Sequence, residues 1–349
     1  MTGRDTCWRW IATGCLGALV LAGCASPARP VFEARDAALV WPKPPRQARI
    51  AYVGQISLST DLKSPTDPFA AISAAAFGKP SAKALLTPFG LCTDGGERLF
   101  VADPGAQVVH VFDLKRRKYE QWRPGGSVPF TQPVGVAWDP AGRVIVSDST
   151  SGRLFVFNDR GKSVGEIGFG VLKRPAGIAI DPASHRVFVA DVSAHQVVVF
   201  SADGALLTRL GQRGASRGEF NFPTNVAIDR QGYLYVTDEL NFRVQTFSPD
   251  LKPVRTLGQQ GDAPGYFGQP KGIALDSDDH LYVVDARQEM VQLFDVGKRL
   301  LLFFGSEGHA PGQFWLPAGI CIDPHNRIWI ADAYNRRVCV FDYLPEKQP

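Results

Sequence analysis

An aspartate recurs at nearly even spacing through most of this chain, and this repeat constrains the fold more than any other feature. It follows a short apolar stretch each time, at intervals of 45, 43, 47, 47 and 47 residues. The six positions are Asp103, Asp148, Asp191, Asp238, Asp285 and Asp332. A fixed period of this length predicts an array of similar supersecondary units.

Three further markers keep the same register. A phenylalanine stands nine residues after each of these aspartates, a proline opens each unit, and a second aspartate follows that proline by six residues. The prolines are Pro88, Pro133, Pro175, Pro223, Pro270 and Pro317. The second aspartates are Asp94, Asp139, Asp181, Asp229, Asp276 and Asp323. Because all markers recur in all units, the repeat indicates a common structure.

Each unit contains four short apolar stretches separated by turn residues, as residues 270–304 illustrate. Four strands in about 45 residues, repeated, are typical of a β-propeller blade. The sequence therefore predicts an all-β fold, a six-bladed β-propeller over residues 48–344, with strands a to d in each blade. Residues 345–349 are expected to form a tail.

The two ends of the repeat region predict how the ring closes. The sixth unit has strands a, b and c but no d, since the sequence stops eight residues after Phe341. Residues 49–57 are similar to a d strand such as residues 254–258, so this N-terminal strand is expected to complete blade six and remove an open sheet edge. Between that strand and Pro88, residues 68–77 predict a short amphipathic helix.

The N-terminal residues have the pattern of a targeting segment. Arg4 and Arg9 precede an apolar run that ends in Leu-Ala-Gly-Cys at residues 21–24. This sequence resembles the lipobox of bacterial lipoproteins, which implies a signal peptide over 1–23, lipid attachment at Cys24 and a lipid-anchored linker over 24–47. In that family Ala25, rather than aspartate, implies an outer-membrane protein facing the periplasm. An ordinary signal peptide with a chance cysteine is the alternative.

The repeated motifs resemble a known family. Each unit opens with Pro-x-Gly-apolar-Ala or a close variant, and residues 238–247 and 332–341 match Asp-x-x-Asn-x-Arg-Val-x-x-Phe in full. Both patterns are similar to NHL repeats, which implies the propeller fold but leaves the activity open, because propellers host unrelated functions. We expect the strand-end aspartates to accept backbone N–H groups in turns, and Arg243 to pair with Asp238.

Strand order places the d–a and b–c loops on one rim of the propeller, and this rim is rich in aromatic residues. Phe220, Phe267 and Phe314 recur in register and are expected to be buried. Non-repeating residues form a candidate partner-binding set, since aromatic residues and arginine are common in binding hot spots: Phe222, Phe242, Tyr266, Trp315, Tyr334 and Arg336. The alternative is that they pack on neighbouring loops. The basic residues of this rim are expected to be solvated: Lys173, Arg174, Arg213 and Arg217.

The channel mouth is predicted to be lined by the residues after the opening prolines: Phe89, Val134, Ala176, Thr224, Lys271 and Ala318. In blade four Asn225 replaces the usual glycine and Glu239 follows Asp238. Asn225 resembles the calcium-binding asparagine of gluconolactonase-type propellers. The second reading is therefore an enzyme, lactonase-like or amidating-lyase-like, with a metal-dependent site at Asn225, Glu239 and Lys271. One asparagine and one glutamate are too few for the calcium site of that family, so we expect no cofactor, and Ca²⁺ belongs only to this second reading.

The sequence predicts no catalytic residue and no metal ligand. A catalytic zinc needs three or more protein ligands, and only His195 and His309 are predicted on the loop rim. The formal charge is +4 and the longest basic run is the short 114–118, which argues against a nucleic-acid partner. Cys92 and Cys321 are expected to be free thiols. The first reading is a lipid-anchored binding or scaffolding module with a protein partner in the envelope.

Overall fold

The computed structural model describes residues 31–32, 39–62, 81–126, 128–295, 297 and 299–345. Six antiparallel sheets stand around a central channel, each with four strands except the last, which has five. The six-bladed β-propeller is confirmed. The predicted signal peptide, Cys24 and the predicted helix at 68–77 lie outside the described residues.

The blades follow the sequence units in order. Blade 1 consists of β3 (Leu91–Thr93), β4 (Arg98–Asp103), β5 (Val108–Asp113) and β6 (Lys118–Trp122). Blade 2 consists of β7 (Pro133–Asp139), β8 (Arg143–Asp148), β9 (Arg153–Asn158) and β10 (Ser163–Ile167). Blade 3 consists of β11 (Pro175–Ile180), β12 (Val187–Asp191), β13 (Gln196–Phe200) and β14 (Leu206–Leu210).

The second half of the ring repeats this arrangement. Blade 4 consists of β15 (Pro223–Ile228), β16 (Leu234–Asp238), β17 (Arg243–Phe247) and β18 (Pro253–Leu257). Blade 5 consists of β19 (Pro270–Leu275), β20 (Leu281–Asp285), β21 (Met290–Phe294) and β22 (Leu300–Phe304). Blade 6 contains β23 (Pro317–Ile322), β24 (Arg327–Asp332) and β25 (Arg337–Tyr343). Single 3₁₀ turns follow β12 and β16, at Val192–Ala194 and Glu239–Asn241.

Blade 6 is completed from the N-terminal side of the repeats, as predicted. Strand β2 (Ile50–Ile56) pairs antiparallel with β25 and becomes the fourth strand of this blade. Strand β1 (Val40–Trp41) pairs with β2 and adds a fifth strand outside it. The Arg337 guanidinium donates to Gln55 Oε1 at 2.8 Å, which fastens the closing strand to the last repeat.

Part of the segment predicted as a linker packs on blade 6. The Trp41 ring lies 6.0 Å from that of Phe304 and 5.9 Å from that of Phe341, measured between centroids. Further towards the N-terminus, Phe32 meets Trp329 edge-on at 5.7 Å. Contacts with the propeller therefore begin well before residue 48, its predicted first residue.

The repeated phenylalanines explain how neighbouring blades adhere. Each is at most 1% exposed, and each belongs to an apolar cluster that combines its own blade with the preceding one. Phe247 of blade 4, for example, lies in a cluster with Phe188 and Val199 of blade 3. The ring is thus held by apolar packing between blades, and the hydrogen-bonded ladders lie within each blade.

Most blades carry a glycine two residues after the opening proline because a side chain would not fit there. A Cβ at Gly135 would lie 2.2 Å from the carbonyl oxygen of Ala176 in the next blade. Innermost strands therefore approach each other too closely for a side chain on this face. This approach narrows the channel, and the residues directly before these glycines, such as Val134 and Ala176, line its mouth.

Candidate binding site at the loop rim and channel mouth

A buried carboxylate organises the loop rim of each blade. The six repeated aspartates at the ends of the b strands are all fully buried. In every blade this carboxylate accepts at least one backbone N–H from the loop that leads into strand a, as in Asn221 to Asp238 at 2.6 Å and Trp315 to Asp332 at 2.8 Å. The predicted structural role is confirmed, and the d–a and b–c loops share one rim.

Arg243 extends this network in blade 4. Its Nε donates to Asp238 Oδ2 at 2.7 Å, which confirms the predicted pair. The rest of the guanidinium donates to the carbonyl oxygens of Ala215, Ser216 and Glu219 in the d–a loop. One carboxylate and one guanidinium therefore fix both loops of the blade.

The three aromatic residues in register are core residues, as predicted. Phe220, Phe267 and Phe314 are each 0% exposed. They fill the space beneath the d–a loops of blades 4, 5 and 6 and support those loops from below.

Trp315 and Tyr334 form an exposed aromatic pair on blade 6. Their ring centroids are 5.5 Å apart, and the side chains are 42% and 57% exposed. Tyr334 N–H donates to the carbonyl oxygen of Trp315 at 3.2 Å, so the two loops that carry the rings are bonded together. His309 packs edge-on against Trp315 at 5.0 Å, and exposed Arg336 lies two residues beyond Tyr334.

The other three predicted rim residues lie elsewhere. Tyr266 is exposed on the d–a loop of blade 5. Phe242 is half-buried and packs on the core between blades 4 and 5. Phe222 is also half-buried, lies 4.6 Å from the His195 ring and lines the channel mouth. The six-residue set is therefore not one continuous patch.

The b–c loops of blades 3 and 5 also bond to the following blade. Glu289, with a positive φ of 54°, accepts the backbone N–H of Leu316 in blade 6 at 2.6 Å. The equivalent residue of blade 3, His195, accepts the backbone N–H of Phe222 in blade 4 at 3.2 Å through Nδ1. Burial raises the pKa of Glu289 from its ordinary value of 4.5 to about 7, although the Leu316 N–H favours the carboxylate.

The channel mouth opens on the same rim as a cavity of 430 Å³. All six residues predicted to surround it line the cavity. The candidate residues Asn225, Glu239 and Lys271 line it together. Arg174, predicted to be a solvated charge, is exposed and also forms part of the wall. A second cavity of 310 Å³ lies deeper in the channel and shares Asn225 with the first.

The polar groups of the mouth have few protein partners. Glu239 Oε1 accepts a hydrogen bond from Gln269 Nε2 at 2.7 Å. Lys271 Nζ lies 5.8 Å from the centroid of the Phe89 ring. Asn225 Oδ1 accepts the backbone N–H of Val226 at 2.9 Å. These groups are positioned to contact a ligand in the cavity.

In the part of the chain that the structure describes, no three His, Cys, Asp or Glu side chains converge as a metal-ligand set. Glu239 is the one carboxylate in the described wall of the mouth. In the same residues the thiols of Cys92, Cys321 and Cys339 are free, and no helix has the length and apolarity to cross a membrane.

Comparison with known proteins identifies the repeat. The family described as NHL repeat matches residues 130–157, 172–200 and 314–341, which fall in blades 2, 3 and 6. The chain contains NHL repeats and folds as a six-bladed β-propeller. The NHL propeller is also 30% identical over 71 residues to the human E3 ubiquitin-protein ligase NHLRC1, a match that spans 20% of this chain and 18% of the human protein.

Solved structures share the fold with the NHL propeller. A Bacteroides thetaiotaomicron protein of unknown function aligns with a TM-score of 0.61 and 17% identity, covering 76% of this chain and 71% of that one. An auxiliary nutrient binding protein from the same organism aligns with a TM-score of 0.59 and 16% identity, covering 74% and 69%. At such identities the likeness establishes the fold.

Replacing Asp238 with alanine should destabilise the NHL propeller strongly. The Arg243 guanidinium would lose its buried counter-ion and Asn221 N–H its acceptor, so we expect a loss of about 3–5 kcal/mol in the free energy of unfolding. Urea unfolding measures this loss. Asp250→Ala is the control, because its carboxylate is 63% exposed and a surface pair such as the one with Lys252 contributes little to stability. Similar losses in both variants would contradict the role of Asp238.

Glu289 should make stability depend on pH. The folded protein holds the Glu289 proton more tightly than the unfolded chain does, so this contribution is complete below pH 4.5 and is lost as pH rises through about 7. Glu289→Gln keeps an acceptor for Leu316 N–H but does not titrate. Relative to wild type, we expect this variant to gain on the order of 3 kcal/mol between pH 4.5 and 7.5.

Urea unfolding at several pH values tests this expectation. Glu97→Gln, at a side chain that is 59% exposed, serves as the surface control. A constant difference between Glu289→Gln and wild type would contradict the titration of Glu289.

Proposed function

We propose that the NHL propeller is a binding module, held at the outer membrane by a lipid on Cys24, that recognises a protein partner at the loop rim of blade 6. The exposed Trp315–Tyr334 pair is the observation that carries this proposal. The envelope location rests on the residues 21–25, which are similar to the processing site of bacterial lipoproteins. A binding role agrees with the name of the nutrient binding relative.

The aromatic pair has the properties of a binding hot spot. Tryptophan, tyrosine and arginine dominate measured hot spots, and all three occur here within one pair of loops. The buried Arg337 guanidinium donates to the carbonyl oxygens of His309 at 2.8 Å and Gln313 at 2.8 Å, so the loop before Trp315 is fixed. A partner would therefore bind a rigid surface and lose little entropy in ordering it.

The packing of Phe32 defines the reach of the proposed anchor. Phe32 contacts Trp329, and the Arg327 guanidinium lies 5.7 Å from its ring. Eight residue steps separate Phe32 from Cys24 in the sequence. Fully extended, they span at most about 29 Å. A lipid on Cys24 would hold blade 6 close to the membrane surface.

Replacing Cys24 should prevent lipid attachment. In a Gram-negative host, Cys24→Ala would remove the thiol that receives the lipid, and we expect at least tenfold less incorporation of labelled palmitate. Cys15→Ala, within the predicted signal peptide, is the matched control and should behave as wild type. Palmitate incorporation in Cys24→Ala at the wild-type level would refute the lipid anchor.

Removing the aromatic pair should abolish partner capture. With the full chain cross-linked in native envelopes, we expect Trp315→Ala/Tyr334→Ala to recover at least tenfold less of the bound protein. The thermal midpoint should change little, because both side chains are exposed. Phe169→Ala/Tyr233→Ala removes two exposed aromatic residues of other blades and is the control. Equal recovery with the two double variants would show that the blade 6 pair is not the contact.

A further inference from the structure

The walls of the channel mouth are largely apolar. Phe89, Val134, Ala176 and Val192 pack together there, and half-buried Phe222 adjoins them. A cavity of 430 Å³ is large enough for an organic molecule of modest size. These walls favour a ligand with an apolar body.

Two cations reach the mouth without a carboxylate partner. Neither Arg174 nor Lys271 forms an ion pair within the described part of the chain, and the nearest aromatic partner of Lys271 is Phe89. The backbone of Arg174 is fixed, since its N–H donates to Asp191 Oδ1 at 2.8 Å and its carbonyl oxygen accepts from Val192 at 3.0 Å. The guanidinium is therefore presented from a rigid segment.

One amide group of the wall can serve as a donor. Asn225 uses its Oδ1 for Val226 N–H, and no described acceptor takes its Nδ2. This amide is not enclosed by protein, so its N–H groups can reach an acceptor in the cavity. Asn225 lines the mouth together with Lys271 of the next blade.

From these observations we infer that the channel mouth binds a small organic carboxylate with an apolar body. The carboxylate would lie between Arg174 and Lys271 and accept a hydrogen bond from Asn225 Nδ2. Its apolar part would lie against Phe89 and Val134. This site is separate from the Trp315–Tyr334 pair.

The charge of the wall favours a monoanion. Two cations and the single carboxylate of Glu239 leave one net positive charge among the lining residues. Gln269 Nε2 holds Glu239 in place at 2.7 Å, so the carboxylate remains at the mouth. A phosphate dianion carries more charge than the net +1 of the wall and would be repelled by Glu239, whereas one carboxylate neutralises that charge.

Calorimetric titration of the full chain with 4-phenylbutyrate tests the site. We expect one molecule bound per chain, and at least tenfold weaker binding of the uncharged 4-phenylbutanamide. Lys271→Met and Arg174→Gln should each weaken binding of the carboxylate about tenfold, because each removes one charge-assisted contact.

The control is Lys173→Gln, which removes an exposed cation next to Arg174 but outside the cavity wall. It should change the dissociation constant less than about twofold, and thermal midpoints of all variants should match wild type. The proposal is overturned if 4-phenylbutyrate shows no saturable binding, if the amide binds equally well, or if Lys173→Gln weakens binding as much as Lys271→Met. Tighter binding of phenyl phosphate than of 4-phenylbutyrate would overturn the monoanion assignment.

Discussion

The buried carboxylate at the end of each second strand is the interaction on which the loop rim depends. The d–a loops lack strand partners of their own, so their buried N–H groups need acceptors. A carboxylate can accept several hydrogen bonds at once, and charge-assisted bonds are stronger than neutral ones. In blade 1, burial acts to raise the pKa of Asp103, but hydrogen bonds from His110 and from Leu86 N–H keep it below its ordinary range.

The residue five positions after this aspartate differs between blades, and so do the hydrogen bonds that hold the d–a loop. Arg243 and Arg337 each bond their aspartate and several carbonyl oxygens, so blades 4 and 6 have firmly held d–a loops. In blade 2 the equivalent Arg153 pairs instead with Glu166 on the outer strand. In blade 5 the equivalent residue is Met290, and Gln292 bonds the d–a loop, as Gln245 does in blade 4. The long d–a loop is therefore held in both blades, with or without the arginine.

The fold could be predicted from the repeat because each repeated residue makes its contacts within its own blade or with an adjacent blade. Buried aspartates, interblade phenylalanines and the closing strand at Ile50–Ile56 all follow from positions within one unit. Phe242 could not be placed in this way. Its φ of 54° turns the chain so that the ring packs between blades, and no residue type signals that conformation. Its equivalents, Glu289 and Arg336, have the same backbone but different surroundings.

The residues that meet at the channel mouth are harder to predict from the sequence, because they come together only when the ring closes. Arg174 and Lys271 are almost a hundred residues apart in the sequence and belong to different blades. Asn225 stands out in the sequence as an exception to the glycine pattern, but nothing in the sequence shows that Gly177 faces it. A Cβ on Gly177 would lie 2.3 Å from Asn225 Oδ1, so the glycine of blade 3 makes room for the amide of blade 4.

The loop rim combines different surfaces on one scaffold because consecutive backbone amides are held by two blades. Trp315 N–H bonds Asp332 of its own blade, and the next amide, of Leu316, bonds Glu289 of the preceding blade. Asn221 and Phe222 repeat this arrangement with Asp238 and His195. A d–a loop fixed from both sides cannot shift without breaking bonds in two sheets. The residues on these loops can therefore diverge, aromatic and exposed on blade 6 or turned into the mouth on blade 4, while the ring that positions them stays the same.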